Sequence, residues 1–150
     1  MFLDSNLGGF GGLIRDHTGS FLHGFFGKIS RPCILHAEIL GLYHGLKLCW
    51  DTGFKHVVCL SDSTIVVDLI QKDLNVHHKY GNLVMAIKHL LRRDWVVSLR
   101  HTLREGNAAA DFLAKKGALS GSSFVILNEA PPDMTSILLA DARGVEFVRP

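Results

Sequence analysis

Val57-Val58-Cys59-Leu60-Ser61-Asp62-Ser63 sets a short apolar run directly before a cluster of small polar residues. Four consecutive apolar residues without polar alternation are expected of a strand covered on both faces, the place a strand takes at the centre of an α/β sheet. Ser63 or a neighbour then stands where it can cap a helix running through Lys72, with Ile65, Val66, Leu69 and Ile70 apolar.

Outward from that strand the periodicities alternate. Toward the N-terminus, Leu35, Ile39, Leu42, Leu46 and Cys49 return on one stripe, predicting a helix from about Arg31 to Thr52 that Gly53 ends. Residues 2 to 30 read as strands: a short Phe2-Leu3, then Phe10 to Ile14, then Ser20 to Ile29. Asp16-His17-Thr18-Gly19 has tight-turn composition and joins the last two as a hairpin. Toward the C-terminus, a polar loop at about 73 to 79 leads into a helix ending at Arg93, with Leu83, Val84, Ile87, Leu90 and Leu91 inward. Trp95 to Leu103 then reads as a strand. Asn107 is expected to cap a last helix, Ala108 to Lys116, stopped by Gly117. This order predicts a mixed sheet with helices on both faces.

At 150 residues, 47% hydrophobic and 20% charged, the chain suits one domain with a real core and leaves no room for a second. We expect that domain to span residues 1–118, with 119–150 an extension packed on it or a linker. A net charge of +2 falls short of the Lys/Arg density that signals non-specific nucleic-acid binding. Cys33, Cys49 and Cys59 form no C-x-x-C pair, and the nine histidines make no Cys/His set with zinc-ligand spacing. Reduced, buried thiols are expected, as is a soluble protein of the cytoplasm or nucleus with no membrane partner, since there is neither an 18-residue apolar run nor a signal-peptide pattern.

Four acids fall where the chain enters or leaves the sheet: Asp4, Glu38, Asp62 and Asp111. Strand ends and first helical turns are where α/β folds build sites. Carboxylates gathered there could hold two Mg²⁺ ions about 4 Å apart, one activating water and one steadying a leaving oxygen. Most single acids are solvated surface charges, so spacing alone does not separate the two cases.

Local sequence does. His36-Ala37-Glu38-Ile39-Leu40-Gly41-Leu42, Leu60-Ser61-Asp62-Ser63 and Arg104-Glu105-Gly106-Asn107-Ala108-Ala109-Ala110-Asp111-Phe112-Leu113-Ala114 resemble successive blocks of ribonuclease H. Together with Gly11-Gly12-Leu13-Ile14-Arg15-Asp16-His17-Thr18-Gly19, they most resemble the reverse-transcriptase-associated ribonuclease H-like domains that are abundant in plants and related to non-LTR retrotransposons. The likeness covers about residues 8 to 118. Pro131-Pro132 with Leu138 to Val145 resembles the tail of plant members.

The resemblance implies a ribonuclease H-like α/β fold, a mixed five-stranded sheet with its first three strands antiparallel. It implies Mg²⁺-dependent hydrolysis, with Mn²⁺ a possible substitute, of the RNA strand of an RNA–DNA hybrid. Glu38, Asp62 and Asp111 would bind metal. Asp4 would be the family's first catalytic aspartate, but that residue normally lies in a longer strand and is followed by Gly. Here Ser5 follows, and Asn6-Leu7-Gly8-Gly9 is a short loop. Either a deletion has drawn the site together, or the true first strand is missing and Asp4 is an unrelated turn residue; in the latter case a non-catalytic hybrid-binding domain is the alternative. By resemblance His101 would assist proton transfer or product release; its other reading is a residue that fills space at a strand end. Asn107 would contact the substrate backbone, and Arg104 a phosphate, unless Arg104 only pairs with Glu105 or Asp111.

Two further features have bland and functional readings. Lys79, Lys88, Arg92 and Arg93, with His77, His78 and His89 nearby, would suit the DNA strand of a hybrid or be a solvated helix face. Gly8-Gly9-Phe10-Gly11-Gly12 lacks the Gly-Lys-Ser/Thr ending of a Walker loop and predicts turn geometry or close approach to a minor groove.

Overall fold

A computed structural model describes residues 3–4, 7–30, 33–72, 79–103 and 107–141, with the side chains of Leu3, Asp4, Leu7 and Asp141 excepted. The strands are β1 (Leu3–Asp4), β2 (Leu7–Arg15), β3 (Phe21–Ile29), β4 (His56–Ser61), β5 (Val96–His101) and β6 (Val125–Leu127). The helices are α1 (Ile34–Asp51), α2 (Thr64–Gln71), α3 (Gly81–Leu91), α4 (Ala108–Leu119) and α5 (Thr135–Asp141). Among the described residues no helix is long and apolar enough to cross a membrane.

The local signals act as chemistry dictates. In the β2–β3 hairpin the Asp16 carboxylate accepts from Thr18 N at 2.9 Å and Ser20 N at 3.0 Å, while Gly19 takes φ 87°. Ser63 Oγ accepts from Val66 N at 3.2 Å and starts α2. Gly53, at φ 90°, follows the end of α1.

The expected single five-stranded sheet is instead two sheets among the described residues. One is four-stranded and antiparallel in the order β1-β2-β3-β6; the other pairs β4 with β5 in parallel. The physical reason is that, among the described residues, β1 supplies two pairs, Leu3 with Gly8 and Asp4 with Leu7, and no ladder of theirs carries pairing across from β2 to β4. The strand β6 lies in the expected extension and pairs with β3.

Helices cover both faces. Phe10, Ile14, Phe25 and Ile29 pack with Ala37, Leu48 and Cys49 of α1, while Ile39, Leu42 and Leu46 of the same helix pack with Val66 and Ile70 of α2 and Val84, Ile87 and Leu90 of α3. On the other face Ala109 and Leu113 of α4 join Phe26 and the fully buried Met134, with Ile137 and Leu138 of α5 beside them.

Gly117 does not stop the last helix, which continues to Leu119. A Cβ there would collide with the carbonyl oxygen of Gly27, so this glycine admits a strand backbone. Nor does the stretch Gly8 to Gly12 form a turn: it lies in strand β2, and α4 lies directly on Gly9 and Gly11. A Cβ on Gly11 would sit 2.6 Å from Ala114 N. Cys33 is not a buried thiol but half-exposed, with Sγ 3.1 Å from Tyr80 Oη. Cys49 and Cys59 are inert: burial pushes each thiol up to about 12.

His44 stacks between Phe10 at 5.0 Å and Phe124 at 4.4 Å. Burial there disfavours imidazolium and holds the pKa below its usual 6.5; His36, stacked on Tyr80 at 4.9 Å, is lowered too, by burial and then by Lys79. The folded chain thus resists a proton that the unfolded chain accepts. This contribution to stability is complete above pH 6.5 and is lost as pH falls below it. Urea midpoints at pH 7.5 and 5 should differ less in His44→Leu than in the parent; an unchanged difference would exclude His44 as a source.

Candidate functional site

One cavity runs between β2 and β4, with α1 on one side and α4 on the other. Its volume is about 150 Å³, and it opens to solvent. Its lining is largely apolar, yet Glu38, Asp111, Asn107, Ser61 and Arg15 also reach it.

Glu38 arrives on the second turn of α1, a helix positioned because Ala37, Ile39 and Leu42 bury around it. Asp111 lies in the first turn of α4, where the positive end of the helix dipole favours its carboxylate. Its Oδ1 is buried. Helices from opposite faces of the sheet thus bring two acids 73 positions apart to one cavity.

Asp62 adjoins Ser61 in the chain but is not itself in the lining. It follows Ser61, the last residue of β4, and is half-exposed. His101 ends β5 opposite Ser61 in the parallel register and is exposed; Thr102 N donates to Ser61 O at 2.8 Å and ties the two strand ends together. Asp4 has its backbone opposite Leu7 at the start of β2, and its side chain lies outside the described residues. Arg104 lies outside them as well, as do His77 and His78.

Asn107 occupies the position before α4 without a side-chain capping bond, contrary to the expected cap. Its side chain lines the cavity beside Asp111 instead. Arg15 had no predicted site role, though it is a cation ending an apolar strand, and it proves 7% exposed and in the lining. Charges are rarely buried without a purpose, and that was the available signal. On the expected basic helix, Arg93 lies 5.2 Å from the Trp50 ring and Lys79 5.6 Å from that of Tyr80, while Arg92 and His89 are exposed.

Hard anionic oxygens facing one cavity are the donor set of a small divalent cation, which commonly takes one or two carboxylates and completes its shell with water and phosphate. Glu38 and Asp111 carry donors of this kind at the cavity. Among the described residues no group of three or more His, Cys, Asp or Glu side chains is arranged to hold a metal, so the four-carboxylate, two-ion set is not assembled there.

Residues 3–117 match the reverse transcriptase-like family. A protein of Arabidopsis thaliana, provisionally named a ribonuclease H protein, is 32% identical over 134 residues, 89% of this chain; the chain spans 22% of that relative's length. Ribonuclease H1 of the halophilic archaeon Halobacterium salinarum superposes with a TM-score of 0.69 at 21% identity, over 77% of this chain and 90% of the other. An N-terminal ribonuclease H domain of Mycobacterium tuberculosis, solved as a fusion with maltose-binding protein, gives 0.58 at 22%, over 75% and 91%.

Proposed function

Because the chain belongs to the reverse transcriptase-like family, we propose that it is a metal-dependent endonuclease that hydrolyses the RNA strand of RNA–DNA hybrids, leaving 3′-hydroxyl and 5′-phosphate ends. The observation that carries this reading is the convergence of Glu38 and Asp111, from two faces of the sheet, on one cavity that Ser61 also lines.

In this reading Glu38 and Asp111 hold a divalent cation, Mg²⁺ or Mn²⁺, and Asp62, one residue beyond the lining, adds a carboxylate as substrate enters. The ion supplies a more acidic water and neutralises phosphate charge. Asp111, with Oδ1 buried, fixes one edge of the site at the positive end of the α4 dipole. Asn107 offers a neutral amide to the nucleic-acid backbone, and Arg104 a guanidinium to phosphate. His101, exposed beside the end of β4, carries protons to and from the leaving oxygen. Asp4 serves as a further ligand. Contacts to 2′-hydroxyl groups distinguish the RNA strand.

A second reading is favoured by one observation, that no three metal-ligating side chains are grouped among the described residues. It is a domain that binds hybrids without cutting them. A labelled RNA–DNA hybrid with Mg²⁺ or Mn²⁺ separates the two. The nuclease cuts the RNA strand and its Asp62→Asn variant does not; equal cutting by both would overturn the assignment. Hybrid retained uncut by both would establish the binding domain.

A further inference from the structure

Both tryptophans of the chain meet at the starts of β4 and β5, the end of that sheet away from Ser61 and His101. The rings of Trp50, near the end of α1, and Trp95, just before β5, stand edge to face with centres 5.3 Å apart. Trp95 is fixed by its indole N–H, which donates to Leu90 O at 2.7 Å. Over the Trp50 ring sit two cations, Lys55 Nζ at 4.0 Å from its centre and Arg93 Cζ at 5.2 Å. Arg92 is beside them in the chain, and all three cations are exposed.

Two like charges over one indole repel each other, and attraction to the ring offsets only part of that cost. Among the described residues no carboxylate lies within ion-pair distance of Lys55, Arg92 or Arg93, although Asp94 is next in the chain; Asp51 is taken by Lys47 at 2.8 Å. A cation held against an aromatic ring has already given up side-chain freedom, so less is lost when it meets an anion. The patch is remote from the carboxylates: β4 separates Lys55 from Asp62 by about 20 Å. Along α1, Glu38 and Trp50 are about 18 Å apart.

We propose that Lys55, Arg92 and Arg93, set around Trp50, form a second anion site that binds the phosphate backbone of a nucleic-acid strand, separate from the cavity. Each strand of a duplex carries a charge about every 3.4 Å, a density that three cations on one short patch match. Guanidinium groups meet phosphate oxygens in pairs. Cations already occupy the Trp50 ring, so the contact reads backbone charge and no base sequence. The site itself is independent of the nuclease reading; the choice of nucleic acid over an acidic peptide rests on it.

Because both tryptophans lie in the patch, tryptophan emission reports on it directly. Titrating the full chain with an RNA–DNA hybrid, without magnesium, should quench that emission. Lys55→Gln/Arg93→Gln should weaken binding about five-fold or more and flatten the dependence of log K on log salt by about two. Lys28→Gln/Lys72→Gln loses the same charge elsewhere and should bind as the parent does. Should the first double variant not fold, Arg92→Gln replaces it, with a flattening of about one. Equal weakening in the two double variants overturns the proposal, since affinity would then follow net charge alone. Hybrid bound by anisotropy with unchanged tryptophan emission overturns it too, and leaves the cavity reading standing. Quenching by polyglutamate but not by hybrid overturns it in favour of an acidic protein partner. Quenching by hybrid with no cutting once Mg²⁺ is added sustains the patch and removes the nuclease.

Discussion

Gly11→Ala and Gly117→Ala, each adding a single methyl group, should destabilise the protein by about 3 kcal/mol or more, the upper end of what overpacking costs. A Cβ on Gly11 would stand 2.6 Å from Ala114 N and 2.6 Å from the carbonyl carbon of Leu113, both backbone atoms of α4. A Cβ on Gly117 would meet the backbone of Gly27. Neither neighbour is a flexible side chain that can rotate away, so the helix has to lift from the sheet and loosen Leu113, which is fully buried. Gly121, whose added Cβ meets nothing within 4 Å, is the control and should change by less than about 0.5 kcal/mol as alanine. Urea melts monitored by far-ultraviolet circular dichroism decide the matter. Equal midpoints for Gly11→Ala and Gly121→Ala would mean that α4 does not lie against β2 in the way described.

Glu38→Gln and Asp111→Asn should each lower hybrid cleavage by about a thousand-fold, close to 4 kcal/mol of barrier. Each substitution keeps shape and removes charge, so the cavity stays intact while its affinity for a cation falls. Magnesium titration by calorimetry should show weaker binding in both variants, a readout that does not depend on turnover. The loss of folding stability for Asp111→Asn should stay near 1 kcal/mol or below, the usual worth of an acid in a first helical turn. Cleavage undiminished in either variant would remove that residue from the site. Undiminished cleavage in both would end the metal-site reading.

The glycines show where local pattern misleads. A glycine after an apolar helical run normally marks a C-cap, and by that rule Gly117 closes α4. The helix runs through it because the same residue type also admits a second backbone, and the deciding neighbour, Gly27, lies 90 positions away. Asn107 is similar: it has the right chemistry and position for a cap, yet its side chain makes no capping bond and reaches the cavity. Ser63, whose task is complete within three residues, behaves as read.

What could be read from the order of amino acids was whatever depends on neighbours a few residues apart. The helical stripes of α1, α2 and α3, the apolar run of β4, the Asp16–Gly19 turn and the three acids within family-like blocks belong to that class, because backbone periodicity and turn chemistry are local. The packed structure alone settled how far each strand finds a partner. Among the described residues β1 pairs at two positions and the sheet parts between β2 and β4, where Glu38 and Asp111 on opposite-face helices line a common cavity that Asp62 does not. Distances of that kind depend on how separate elements close on one another around a core, a property no short stretch of chain contains.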